Sequence, residues 1–299
     1  MKTRILILAL TVLFASCLLL SACGLGGSFG GASDTAAEPW TAKAKLITWV
    51  VIVDVTKSTR AFRTEYVAVL TRVLEAVGYG DTVVPMSGEN DSVENARYWV
   101  EEVVPRFEFT LEPRPDTDNS LLLDAWHAKQ TKRYEDGLAQ FEAGHALDKI
   151  RAKLLARVRR HILNDVVGGT DLFGAAFLAG TLFSATDGEH RMVMLSDGLV
   201  QTDKPKVDWR HHEVTTAGVE RIVTAQRRDK RLPNLHNATT ILIGAHTSDG
   251  SSFSALRDGW SQYVAAANGS LEPTYFMRRL STTLLDGWLA APASSEAGS

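Results

Sequence analysis

The chain has 299 residues, of which 45% are hydrophobic and 22% charged, and its 32 Lys+Arg and 35 Asp+Glu give a formal net charge of −3. This is the composition of an ordinary globular protein and excludes disordered, collagen-like and low-complexity chains. The near balance of charge gives no electrostatic case for binding nucleic acid, and we expect no nucleic-acid partner. The only cysteines, Cys17 and Cys23, are too few for a disulfide framework or a cysteine-rich zinc site.

The first residues have the pattern of a secretory signal. Lys2 and Arg4 precede an uncharged apolar run over 5–20, which is a basic region followed by a hydrophobic region. The run is shorter than the ~20 apolar residues of a typical membrane span. Residues 20–24, Leu-Ser-Ala-Cys-Gly, resemble the bacterial lipobox. That resemblance implies cleavage before Cys23 and lipid modification of Cys23.

These patterns predict how the chain is organised and where it resides. We expect residues 1–22 to be a lipoprotein signal peptide and 23–45, which are rich in Gly, Ala and Ser, to be a flexible tether. The mature protein would be anchored by lipid on the outer side of a bacterial plasma membrane or in the outer membrane. The alternatives are an ordinary signal peptide with a chance cysteine or an uncleaved anchor. A folded domain is predicted over 46–289, followed by a disordered tail over 290–299.

Strands and helices alternate along the predicted domain. A continuous apolar run over 46–53 is typical of a strand buried on both faces of a parallel sheet. The further predicted strands are 81–86, 106–111, 191–195 and 239–245, and the predicted helices are 59–77, two within 119–165, 172–184, 215–230 and 254–267. This alternation predicts an α/β fold, a Rossmann-like three-layer sandwich with a mostly parallel central sheet. The helical segment, about 112–165, is predicted to be an insertion in this domain, and the alternative is a separate helical domain over 119–165. Residues 199–214 are predicted to be irregular.

Polar side chains are concentrated in three loops of the predicted sheet. Asp54, Thr56 and Ser58 follow the first strand and alternate along the chain, Thr170 precedes a helix, and Asp197 follows a later strand. Loops at the carboxyl ends of parallel strands share one edge of the sheet. Two carboxylates and three hydroxyls suit a hard divalent cation, Mg²⁺ first and Mn²⁺ or Ca²⁺ as alternatives. Helix capping and a plain turn are the structural alternatives.

The same residues resemble a known motif. In the von Willebrand factor type A (vWA) family, the metal-ion-dependent adhesion site (MIDAS) reads D-x-[ST]-x-[ST], then T, then D. Asp54, Thr56 and Ser58 match the first element, Thr170 the second and Asp197 the third. The resemblance implies a parallel sheet with one antiparallel edge strand and helices on both faces. It also implies that the hydroxyls bind the metal directly, that the aspartates act mostly through water, and that a ligand carboxylate completes the coordination.

The stretch between Ser58 and Thr170 is longer than is usual in that family, and the surplus coincides with the predicted helical insertion. We therefore expect a non-catalytic envelope module that binds a divalent cation and, through it, a carboxylate of a protein partner. One alternative is a metal-dependent phosphohydrolase of the haloacid-dehalogenase type with Asp54 as nucleophile, although Thr56 stands where such enzymes carry a second acid. The other is a metal-free envelope scaffold. No P-loop or Gly-x-Ser-x-Gly elbow occurs, and no catalytic residue is predicted.

Two further segments carry weaker signals. Residues 149–161 form a basic amphipathic pattern, which favours a solvated helix face or contact with anionic lipid headgroups or an acidic partner. The run His211-His212-Glu213 lacks the spacing of a helical zinc pair and is interpreted as a polar surface loop.

Overall fold

A computed structural model describes residues 46–88, 98–203, 206–247 and 250–291. The predicted signal peptide over 1–22, the predicted lipidation site Cys23, the tether over 23–45 and residues 292–299 of the predicted tail lie outside the described residues. All of the described residues belong to one compact unit, Lys43–Ser299.

The centre of the domain is a six-stranded sheet. The strands of the described chain are β1 Ile47–Val53, β2 Thr82–Ser87, β3 Glu102–Val103, β4 Glu189–Leu195, β5 Gln201–Asp203, β6 Lys206–Asp208, β7 Thr239–Ile243 and β8 Phe276–Met277. The sheet order is β3-β2-β1-β4-β7-β8, and β5 and β6 form a separate hairpin. All neighbouring strands of the sheet are parallel except β2 and β3. The predicted mostly parallel α/β architecture is therefore confirmed.

Helices cover both faces of this sheet. They are α1 Arg63–Ala76, α2 Ser120–Gly144, α3 Leu147–Asn164, α4 Leu172–Ser184, α5 Thr216–Arg228, α6 Gly250–Ala266 and α7 Thr282–Ala290. Successive residues of β1 point to opposite faces, so Val50 and Ile52 lie in the core with α4, α5 and α6, and Val51 and Val53 in the core with α1, α3 and α7. Among the described helices, none has the length and apolar character needed to cross a bilayer.

The predicted helical insertion contains two helices of different character. The sequence predicts two helices in this segment, and the break between α2 and α3 falls at residues 145–146. Leu154, Val158 and Ile162 of α3 are buried in the same core as α1, whereas Gln130 is the one buried residue of α2. α3 is thus part of the domain core, while α2 lies largely on its surface.

The predicted strand over 106–111 is wrong. The edge strand is the two-residue β3, and residues 106–111 have no regular structure. Their alternating aromatic residues instead pack on α2, with ring centroids 5.7 Å apart for Phe107 and Phe141 and 5.3 Å apart for Phe109 and Tyr134. Alternation here reflects contact with a helix rather than with a sheet. The stretch predicted to be irregular, 199–214, contains the β5–β6 hairpin, and β8 and α7 are further elements that the sequence did not predict.

Candidate functional site

The structure brings all five predicted site residues to one edge of the sheet. Asp54 follows β1, and its backbone N–H donates to the carbonyl oxygen of Leu195 at the end of β4, two residues before Asp197. An isolated parallel bridge joins Thr56 to Val167 and brings the loop before α4, with Thr170, to the same place. The carboxyl ends of adjacent parallel strands create this cluster, as expected for such sheets.

The carboxylate of Asp54 is fully buried and accepts three hydrogen bonds. Its Oδ1 accepts from the backbone N–H of Thr56 at 2.9 Å. Its Oδ2 accepts from the hydroxyls of Thr170, at 3.2 Å, and Ser196, at 3.0 Å. Asp54 therefore fixes the positions of two of the site's loops. The sequence did not identify Ser196, although it lies beside Asp197 in the motif.

The carboxylate of Asp197 orders the remaining hydroxyls. The Ser58 hydroxyl donates to its Oδ2 at 2.7 Å, and the backbone N–H of Leu199 donates to its Oδ1 at 2.9 Å. The Thr56 and Ser58 hydroxyl oxygens are 3.0 Å apart. Since the one proton of Ser58 goes to Asp197, Thr56 is the donor in that contact. The proton of Thr170 likewise goes to Asp54, so each of the Ser58 and Thr170 oxygens keeps at least one lone pair that the hydrogen bonds among the five residues do not use.

Negative charge is concentrated where solvent is excluded. Burial, and then the charge of Asp197, raise the pKa of Asp54 above its ordinary value, against the opposing effect of the hydrogen bonds from Thr56 and Ser196. Burial, and then the charges of Asp54 and Asp197, also raise the pKa of Tyr66. A cation bound at the hydroxyls would offset this repulsion between the two carboxylates.

The donor atoms fit a hard divalent ion. The converging groups are hydroxyl and carboxylate oxygens, the ligands that Mg²⁺ and Ca²⁺ prefer, without sulfur or imidazole among them. Thr56 and Ser58 line a cleft of about 200 Å³ together with Gly168 and Gly169, whereas Asp54, Thr170 and Asp197 are buried. Across the described ranges, no cluster of three or more His, Cys, Asp or Glu residues could hold a metal. A cation at this cleft would therefore depend on the hydroxyls as well as on the two carboxylates.

A side chain that the sequence analysis missed reaches into the same cleft. The Arg210 Nη2 lies 3.0 Å from the Ser58 Oγ and 3.5 Å from the Thr170 Oγ1. It also lies 3.6 Å from the Asp197 Oδ2. Arg210 belongs to the stretch predicted to be irregular, and no motif or spacing in the sequence connects it to the site.

The weaker sequence signals fall outside this cluster. His211 contacts Asp208, with Nδ1 and Oδ2 2.8 Å apart, and His211 and His212 are both exposed. The basic residues of α3 that share a stripe are exposed as well; they are Lys149, Lys153, Arg157 and Arg160. Neither segment contributes a ligand to the predicted site.

Comparison with known proteins gives similarities of structure alone. No protein-family model matches the chain, and no curated protein matches it in sequence. The chain is similar to the open conformation of the pilus adhesin SpaC from Lactobacillus rhamnosus GG, with 13% identity and a TM-score of 0.41, over 82% of this chain and 29% of that one.

Two other solved structures have comparable similarity. A von Willebrand factor type A protein from Catenulispora acidiphila is 14% identical with a TM-score of 0.36, over 82% of this chain and 42% of that one. Proximal thread matrix protein 1 from the mussel byssus is 10% identical with a TM-score of 0.37, over 82% of this chain and 44% of that one. The chain thus spans less than half the length of each of these three chains.

Proposed function

We propose that this protein is a non-catalytic binding module that holds a divalent cation, Mg²⁺ first, at Asp54, Thr56, Ser58, Thr170 and Asp197, and captures a protein partner through a carboxylate that completes the coordination. The observation that carries the proposal is the direction of the hydroxyl protons. Ser58 and Thr170 donate to the carboxylates of Asp197 and Asp54, so each of these hydroxyl oxygens keeps a lone pair with which it could bind a cation.

The hydrogen bonds suggest a division of roles among the ligands. Both oxygens of Asp54 already accept donors, from the Thr56 backbone and from the Thr170 and Ser196 hydroxyls. Asp54 would then act by orienting hydroxyls and by supplying negative charge, while the hydroxyls of Thr56, Ser58 and Thr170 contact the ion. Neutral direct ligands leave the ion with much of its positive charge, and Mg²⁺ seldom has an all-protein cage. A partner's carboxylate is the group that such an ion attracts.

The charge at the cleft favours an acidic partner. The charged side chains that line it among the described residues are both basic, Lys57 and Arg210, and the exposed Lys57 keeps its charge at the cleft when an ion replaces Arg210. Complementary charge of this kind speeds association and selects against basic partners.

The proposed location rests on the N-terminal sequence. A lipid on Cys23 would place the domain in the cell envelope, on the outer side of the plasma membrane or in the outer membrane, where a partner protein is accessible. Cys23→Ala should remove the mature protein from the membrane fraction; an unchanged membrane-bound mature species would contradict lipid anchoring.

The phosphohydrolase alternative requires Asp54 to attack a phosphorus atom. Its carboxylate is buried and each oxygen already accepts a hydrogen bond, which does not favour a nucleophilic role. We therefore assign no catalytic residue.

Calorimetric titration with Mg²⁺ and Mn²⁺, together with thermal denaturation, tests the proposal. A bound ion at about 100 times its Kd should stabilise the wild type by about 2.7 kcal/mol. Thr170→Val keeps the shape of the side chain and removes the hydroxyl, so this variant should lose the cation response. The matched control is Thr240→Val, because the buried Thr240 hydroxyl in β7 has no hydrogen-bond partner. An equal cation response in Thr170→Val and the wild type would contradict the assigned site.

A further inference from the structure

We propose that Arg210 is a tethered cation that competes with the divalent ion for the same oxygens, so that ion binding requires the guanidinium to leave the cleft. The inference rests on the proposed function and deepens it by identifying what regulates the site. In the state that the structure describes, the site is occupied by the chain's own positive charge.

The guanidinium of Arg210 and a bound cation would contact the same oxygens. A single nitrogen of Arg210, Nη2, lies 3.0 Å from the Ser58 Oγ, 3.5 Å from the Thr170 Oγ1 and 3.6 Å from the Asp197 Oδ2. These three atoms come from three different loops, and they belong to the predicted metal-binding set. A guanidinium that contacts all three occupies the place where a small cation would contact them. The two cations therefore cannot use these oxygens at the same time.

The segment that carries Arg210 is held in place. Its backbone is held on both sides, because the N–H of Trp209 donates to the Val200 carbonyl at 2.9 Å and the N–H of Arg210 donates to the Asp208 Oδ1 at 3.1 Å. Trp209 is buried, with its ring centroid 5.3 Å from that of Phe173. Because this segment is fixed, the guanidinium is positioned without a large loss of backbone freedom on contact.

The Arg210 side chain is partly exposed and lies beside a second cleft that could receive it. The Arg210 side chain is 23% exposed, whereas that of Asp197 is 4% exposed. Arg210 also lines a second cleft, of about 350 Å³, whose walls include the exposed residues His211 and Glu213. Rotation about the side-chain bonds of Arg210 can move the guanidinium towards the carboxylate of Glu213 with the backbone in place. Displacement is thus a side-chain movement rather than an unfolding of the hairpin.

The consequence for affinity follows from competition. If the ion binds only when Arg210 is outside the cleft, the apparent Kd exceeds the intrinsic Kd by the reciprocal of the fraction of molecules in that state. Removing the guanidinium should therefore tighten ion binding, by about ten-fold if one molecule in ten has the arginine outside. Loss of a bound ion would return the arginine to the oxygens and close the site to a partner's carboxylate.

The test is calorimetric titration of Mg²⁺ and of Mn²⁺ into the wild type, Arg210→Gln and Arg221→Gln. Glutamine keeps part of the aliphatic stem and removes the charge. Arg221 is an exposed residue of α5 outside the predicted metal-binding set, so Arg221→Gln controls for the change in net charge. We expect a lower apparent Kd in Arg210→Gln, by about ten-fold if one molecule in ten has the arginine outside the cleft, and an unchanged Kd in Arg221→Gln. Thermal denaturation without divalent ions confirms that each variant is folded.

Each result decides between the proposals. Equal or weaker binding in Arg210→Gln, with clear binding by the wild type, would overturn the competition and leave the proposed function intact. Equal tightening in both arginine variants would assign the effect to net charge and overturn it as well. Absence of binding in both the wild type and Arg210→Gln would overturn the proposed cation site itself, and the competition with it.

Discussion

The buried guanidinium of Arg191 fastens the C-terminal helix α7 to the sheet. Arg191 lies in β4, and its side chain is 4% exposed. It donates to the Glu189 Oε1 at 2.6 Å and to the carbonyl oxygens of Trp288, Leu289 and Ala291 at 3.1, 2.7 and 2.6 Å. Its guanidinium carbon also lies 5.1 and 5.4 Å from the ring centroids of Trp49 and Trp288. Arg191 thereby satisfies backbone carbonyls at the end of α7 that have no acceptor role within the helix.

Arg191→Met should be strongly destabilising because it removes the ion pair with the buried Glu189 carboxylate, 3% exposed, and the donors to three backbone carbonyls. Removing one member of a buried ion pair costs about 3–5 kcal/mol. For a domain of this size, that corresponds to a fall in Tm of about 6–20 °C, at about 2–4 °C per kcal/mol. Methionine fills much of the volume of the aliphatic stem of arginine. The predicted loss of stability therefore comes mainly from the lost ion pair and hydrogen bonds rather than from lost packing.

Urea denaturation followed by far-UV circular dichroism measures the effect. The informative control is the double variant Glu189→Gln with Arg191→Met, which also removes the buried negative charge that Arg191 neutralises in the wild type. We expect the double variant to regain about 1–3 kcal/mol over Arg191→Met. A loss below about 1 kcal/mol in the single variant, or a double variant no more stable than the single one, would contradict a stabilising role for this buried ion pair.

Two further predictions concern the surroundings of the site. Burial and the charge of Asp197 raise the pKa of Asp54 above 3.8, so the stability that its protonated form contributes at low pH is lost as the pH rises through the folded-state pKa. In EDTA, urea denaturation should therefore show Asp54→Asn gaining stability relative to the wild type as the pH increases. A stability difference that stays constant with pH would contradict this. Trp260→Phe removes the 2.9 Å hydrogen bond to the Gly198 carbonyl beside the site and should lower the unfolding free energy by about 1–3 kcal/mol, whereas an unchanged urea midpoint would contradict the importance of that bond.

The predictable part of the site is the part that backbone topology dictates. The buried run of β1 identifies a central strand, and residues immediately after parallel strands must lie at one edge, so the meeting of Asp54 with Asp197 follows from the sequence. Thr170 follows less directly, because its loop is positioned by the bridge between Thr56 and Val167.

The part of the site and fold that was not predicted depends on tertiary contacts that produce no periodic pattern in the sequence. Arg210 reaches the cleft because Trp209 is packed against Phe173. Neither the residues next to Arg210 in the sequence nor its distance along the chain from the other site residues indicates this contact. The mistaken strand over 106–111 has a related cause. Phe107 and Phe109 alternate because they contact α2, and alternation alone does not distinguish a helix surface from a neighbouring strand.

The most direct test of the central claim is anomalous diffraction from crystals of the protein soaked in Mn²⁺. We expect one strong anomalous peak within about 2.5 Å of the hydroxyl oxygens of Ser58 and Thr170, with the guanidinium of Arg210 moved out of contact with them. Absence of a peak at these oxygens under saturating Mn²⁺, with Arg210 still in contact with Ser58, would contradict the assignment of a divalent-cation site.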